Sequence, residues 1–222
     1  MIGEPSTTEE LVRLYVAAKR VVIDHGFVDE IAWQAVAGQG EPSPTTFVRE
    51  AAWVVLSAGM REAVVRGVFD LFAEAMHGFD PIPLSHDRLG ARAAALAKFR
   101  HERKVDAILD IAEVTAGLTL RELHTALNNN AEQFLRSLPY IGPATWRHLA
   151  KNLGIPIAKP DRHLVRMVRA TARQSVDALC QEIAEWLGEP IGVVDLVLWR
   201  WSVLHARECR QTCDATLHRP AS

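Results

Sequence analysis

Apolar residues return at three- and four-residue intervals along nearly the whole chain, and nowhere does apolar–polar alternation last beyond a few residues. The first pattern gathers side chains on one face of a helix, whereas a half-buried strand needs the second. Leu11, Leu14, Tyr15, Ala18 and Val22 make the first helical stripe, opened by a capping-box pair, Ser6 with Glu9, and closed near Gly26. Further stripes run over 61–76, 88–99, 102–114, 119–128 and 131–138. Short breaks separate them: HGFDPIPLS at 77–85, Gly117, and the Asn triplet at 128–130. The segment GQGEPSP at 38–44 reads as a linker, after which Ser43 or Thr45 caps a helix from Phe47 to Leu56 whose AAWVVL run is apolar on every side. The fold class is all-α.

With 222 residues, 49% of them hydrophobic and 23% charged, the chain can bury a core without disulfide staples, as one large domain or two small ones. No apolar run approaches the ~20 residues that span a bilayer, and MIGEPSTTEE lacks the basic and apolar regions of a signal peptide. Cys180, Cys209 and Cys213 are too few for a disulfide framework. Together these imply a cytoplasmic protein with no membrane partner. His205, Cys209 and Cys213 are spaced four apart, with His218 beyond them. Ligands on successive turns of one helix converge poorly on a tetrahedral metal, so no metal site is assigned there.

A net charge of −2 conceals a strong asymmetry. Over 134–174, Arg136, Arg147, Lys151, Lys159, Arg162, Arg166, Arg169 and Arg173 stand against Asp161 alone, a local +7 that leaves −9 on the rest. Trp146, Leu149, Ala150 and Leu153 share one helix face, which puts Arg147, His148 and Lys151 on the other. Arg162, Arg166, Arg169 and Arg173 follow at i, i+4, i+7 and i+11, a stripe suited to backbone phosphates. An ordinary solvated face mixes both signs, and this one does not. Gly142, just before the helix that carries Arg147, would let a phosphate approach unpaired backbone N–H groups.

Asp161 follows Pro160, which halts the preceding segment, and stands where a helix N-cap is expected. The helix dipole and the neighbouring arginines favour its charged form. Such a carboxylate suits stabilising positive charge or orienting a water, more than donating a proton.

Leu138-Pro139-Tyr140-Ile141-Gly142, followed by Lys159-Pro160-Asp161-Arg162-His163, resembles the signature of the helix-hairpin-helix DNA glycosylases of endonuclease-III type, a hairpin and then an aspartate loop. Residues 55–58 and 194–199 are similar in style to other core segments of that family. The resemblance implies two helical subdomains with an active-site cleft between them. Residues 1–41 would be an N-terminal helix packed with the C-terminal helices, 42–155 a central bundle containing the hairpin, and 156–222 the aspartate loop and C-terminal helices. It implies a monomer acting on double-stranded DNA in the nucleoid, flipping out a damaged or modified base and hydrolysing its N-glycosidic bond, with Asp161 catalytic. Pro139, Tyr140, Ile141, Gly142, Ala144, Thr145, Arg147, Lys151, Arg162 and Arg166 would bind the DNA backbone. Met60 would wedge into the duplex, and Trp53 and His163 would line the base pocket.

Bifunctional relatives carry a nucleophilic lysine two residues after the hairpin glycine, where this chain has Ala144, so the implied activity is monofunctional, with water as nucleophile. The four-cysteine iron–sulfur loop of many relatives is absent. No cofactor is required, though the family hairpin can hold a monovalent cation, here on the carbonyls of Pro139 and Ile141. Tyr140 and Ala144 also fit an alternative, a noncatalytic helix-hairpin-helix protein that binds DNA.

Overall fold

Thr7 opens the first helix, accepting from the amide of Glu10 while the Glu10 carboxylate accepts from the amide of Thr7. This capping box lies one residue beyond the expected Ser6–Glu9 pair; Ser6 is outside the described residues. The computed structural model describes residues 7–37 and 40–217, with side chains through 206. Its helices are α1 (Thr8–Asp24), α2 (Val28–Val36), α3 (Pro44–Ser57), α4 (Glu62–Ala75), α5 (Pro81–His86), α6 (Arg88–Lys98), α7 (Glu102–Ala116), α8 (Leu120–Ser137), α9 (Trp146–Asn152), α10 (Arg162–Ala170), α11 (Val176–Leu187) and α12 (Ile191–Leu217). The described residues contain no strand, so the class is all-α. No helix among them is long and apolar enough to cross a membrane.

The chain folds as two units, one made of the segments Met1–Val36 and Pro156–Ser222, the other of Ala37–Ile155. In the second unit α7 is central, packing on α3, α5 and α6 through Val105, Ile108, Leu109, Ile111 and Ala112. α3 begins where Ser43 accepts from the amide of Thr46 at 3.0 Å. Its Ala51, Ala52, Val54, Val55 and Leu56 are all buried, as the AAWVVL run requires. The α4 rings Phe69 and Phe72 pack on Phe79, with centroids 5.5 and 6.3 Å away. Phe79 reaches them through a reversal in which His77, Gly78 and Phe79 all have positive φ.

In the first unit α1 packs on α11 and α12, closing Leu11, Tyr15, Ala18 and Val22 over Leu179, Ile183, Val194 and Val197. The Tyr15 hydroxyl donates to Glu189 at 2.5 Å and Lys19 to the same carboxylate at 2.6 Å, fastening α1 to the turn between α11 and α12. Burial, then the Glu189 carboxylate, push the Tyr15 phenol far above its ordinary range. Arg200 grips Glu30 through two bonds of 2.8 and 2.9 Å, tying α12 to α2.

The turn at 77–85 is not simply a loop, since α5 starts there. Asp80 caps it by accepting from Ile82, and Pro81 and Pro83 fall in its first turn, where a missing N–H costs no helical bond. The Asn triplet sits inside α8, where Asn130 leaves helical geometry (φ −156°, ψ 62°) and its Oδ1 accepts from the amide of Gln133. Asn130 thus caps the second half of α8 and preserves the break that the sequence carries there.

Glu50 is buried on α3 and accepts from Asn152 of α9 at 2.9 Å. Burial raises its carboxyl pKa, with the Asn152 bond acting the other way. A carboxyl raised on folding costs stability as pH climbs above its unfolded value of about 4.3. Glu50→Gln keeps an acceptor for Asn152 and removes the charge, so it should stabilise the protein by about 1 kcal/mol at pH 7, with the gain fading toward pH 4. Thermal denaturation of both proteins across that range checks the sign.

Candidate carboxylate site and nucleic-acid interface

The segment before Asp161 has no regular structure of its own and is suspended from two helices by carboxylates. The amide of Ala158 donates to Asp177, in the first turn of α11, at 3.0 Å, and the next amide, of Lys159, donates to Asp195 of α12 at 2.9 Å. Asp195 is 2% exposed and flanked on α12 by buried Val194 and Leu196. A charged acceptor makes a strong bond with a backbone amide, and two in succession fix the direction of the peptide. Neither aspartate was singled out by sequence, since Asp195 sits inside an apolar run and Asp177 among ordinary helix-opening residues.

Asp161 then caps α10. Its backbone is extended (φ −100°, ψ 170°), and its Oδ1 accepts from the amides of both His163, at 2.8 Å, and Leu164, at 3.0 Å. One oxygen therefore serves the cap. Its Oδ2 has no hydrogen-bond partner among the described residues, and the side chain is only partly buried. An N-cap needs a single acceptor, so the second oxygen is available for chemistry.

α10 buries Leu164 and turns Arg162, Arg166 and Arg169 to the surface. None of the three pairs with a carboxylate among the described residues; Arg162 makes only a long 3.4 Å contact to the His163 ring. Arg173 does not extend this stripe, contrary to its spacing. The helix ends at Ala170, Ala172 takes a positive φ of 53°, and Arg173 folds back to Glu182 with bonds of 3.0 and 2.8 Å. That bond holds the Glu182 carboxyl below its ordinary range.

The turn between α8 and α9 is built on Ile141 N–H donating to Leu138 O, with both side chains buried, while Pro139 is half-buried. Tyr140 takes φ +67° and is 42% exposed. Gly142 does not offer its N–H to a phosphate, because that group donates to Thr145 Oγ1 at 2.8 Å. Gly142 O in turn accepts from the amides of Thr145 and Trp146.

Ala144 is exposed, and Arg147 is half-buried with its guanidinium 5.2 Å from the Trp146 ring. Lys151, expected on the outer basic side, is 7% exposed. The reason is that α9 is short and packs on both α3 and α8, so burial extends past its apolar stripe to Lys151 and Asn152.

Met60 stands in the turn after α3, 39% exposed. Trp53 has partners of its own, with Phe69 edge-on at 5.1 Å and the Arg66 guanidinium over its ring at 5.6 Å. His163 lies beside Asp161 and gives its amide to the cap. The His205 ring packs on Trp201 at 4.6 Å. The side chains of Cys209 and Cys213, and all of His218, lie outside the described residues.

No protein-family model, curated protein or solved structure matches this chain. The site's chemistry therefore rests on its own geometry.

If Oδ1 alone performs the capping, Asp161→Asn should leave stability within about 0.5 kcal/mol, whereas Asp161→Ala should cost about 1 kcal/mol. Chemical denaturation of the two variants separates the cap from whatever else the carboxylate does.

Proposed function

We propose that this protein is a monofunctional DNA glycosylase that excises an aberrant base from duplex DNA. One observation carries the reading: a carboxylate with one oxygen spent on the cap and the other unclaimed among the described residues heads a helix whose outer face bears three arginines with no acidic partner among those residues. Those arginines suit phosphates, and the carboxylate suits a cation that forms among them.

On this reading the C1′–N bond breaks, the base departs with the bonding electrons, and the sugar becomes oxocarbenium-like. Asp161 stabilises that charge; water adds at C1′, and the proton it loses is taken up, through solvent, by the departed base anion, leaving neutral base and an abasic hydroxyl. Flipping the target costs least where pairing is already weak, which favours damaged or modified bases. Ala144 stands where a lysine would be needed for strand cleavage through a Schiff base at the hairpin, so the product is an intact abasic strand. The helix–turn–helix of α8 and α9 would contribute through its exposed turn residues, among them Tyr140 and Ala144, and Met60 would wedge into the duplex. The protein would act as a monomer.

Duplexes carrying single oxidised, alkylated, deaminated or enlarged bases, treated with protein and then with alkali, report abasic sites as strand breaks. At least one substrate should be cut by the wild type, and Asp161→Asn should lower the rate about a hundredfold or more while duplex affinity stays within a few-fold. Equal rates for the two would remove Asp161 from the mechanism. Duplex binding with no abasic product on any substrate would identify the noncatalytic alternative.

Affinity should also fall steeply with salt. Arg166→Gln should reduce the slope of log affinity against log salt by about 1, measured by fluorescence anisotropy on plain duplex.

A further inference from the structure

Lys104 is the most deeply buried cationic side chain described, at 1% exposure, and it lies outside every feature discussed so far. In sequence it belongs to a charged triplet, Glu102-Arg103-Lys104, at the start of α7. Its Nζ donates to Leu56 O and to Ala58 O, each at 2.7 Å, at the C-terminal end of α3. Two rings flank the same nitrogen, Phe99 with its centroid at 5.9 Å and Tyr140 at 5.8 Å. His101 extends the cluster, stacking on Phe99 and meeting Tyr140 edge-on at 6.4 Å.

Each contact has its own physical reason. The last carbonyls of a helix lack intrahelical partners and carry its negative dipole end, so a cation there is stabilised twice over. Aromatic faces attract a cation further, most strongly away from water. Tyr140 is the telling member. It sits at the apex of the α8–α9 turn with a positive φ that a bulky residue rarely adopts, and its ring lies within reach of Lys104. On the other side, Ala58 ends α3, and the turn that follows, with Gly59 at φ +71° and Met60 N–H donating to Ser57 O, presents Met60. Segments about eighty residues apart thus meet on one buried nitrogen.

We propose that Lys104 is a positioning residue that makes the Met60 turn and the α8–α9 turn one rigid edge for engaging distorted duplex. The inference rests on the DNA reading above only for the purpose of that edge; the rigidity itself is a property of the protein alone. Burial lowers the pKa of the amine, so the site holds it at a desolvation cost that the two carbonyls and two rings offset.

Amide hydrogen exchange on the full chain without DNA tests the coupling, because Ala58, Met60, Ile141 and Gly142 each donate an amide hydrogen bond. In Lys104→Met, exchange should quicken about tenfold or more in both turns, while the amides of α4 and α6 change little. Should that variant fail to fold, Tyr140→Asn serves, since Asn tolerates the positive φ and removes only the exposed ring. It should quicken exchange around Ala58 and Met60, which it does not itself border in sequence. Exchange that rises in one turn alone, or uniformly through the unit, would overturn the proposal.

A second arm, the ratio of affinities for a duplex containing a tetrahydrofuran abasic analogue and for plain duplex, should fall about threefold or more in Lys104→Met, with plain-duplex affinity retained. An unchanged ratio would deny the edge its role in DNA distortion. Failure of the wild type to bind any duplex would instead reject the DNA reading, while the exchange result still decides the coupling.

Discussion

Two carboxylates that bind backbone amides decide where the candidate site is. Asp177 and Asp195 take the amides of Ala158 and Lys159, and so deliver Pro160 and Asp161 to the head of α10 in one orientation. The segment forms no helix or strand of its own, and with Ala158 buried in the core these two bonds set the direction in which the chain reaches Asp161 and the next helix. The rest follows from the cap. Once Oδ1 is committed to His163 and Leu164, Oδ2 is the oxygen left over, and the arginines at the first, fifth and eighth positions of α10 fall on its outer face.

The cap and a chemical role are compatible because they draw on different oxygens. That division of labour makes Asp161→Asn informative: asparagine is as good an N-cap as aspartate and carries no charge. The surrounding charge belongs to the same logic. A chain at −2 overall concentrates a net +7 between 134 and 174, and the structure trims that figure, since Arg173 is neutralised by Glu182 and Lys151 is buried. What remains on α10 is a compact set of three exposed arginines, Arg162, Arg166 and Arg169.

Much of this was legible in the sequence because it is local. Periodicity gives the helices, Pro160 before Asp161 gives the cap, and the Asn triplet gives the break in α8. Features set by distant partners were not legible. Nothing near Ala172 announces the positive φ that turns Arg173 away, and the period of α9 overstates its polar face because two other helices close around it. Thr145 intercepts the Gly142 N–H through a side-chain bond that a glycine-turn pattern does not encode. Lys104 stands in the charged triplet Glu102-Arg103-Lys104, whose pattern gives no sign that it is the centre of a buried cluster. Asp195, inside an apolar run, offered the one hint that could have been taken: a lone acid in a buried helix needs a donor, and here that donor is the backbone just before the site.

Whether the Asp161 carboxylate promotes release of a base from DNA can be tested without knowing which base. DNA bearing a broad mixture of oxidative, alkylation and enzymatic modifications is incubated with wild type and with Asp161→Asn, and the small-molecule fraction is analysed by mass spectrometry. At least one modified base should be released by the wild type and strongly depleted with the variant. The same bases at the same levels from both proteins, or none from either, would contradict that role.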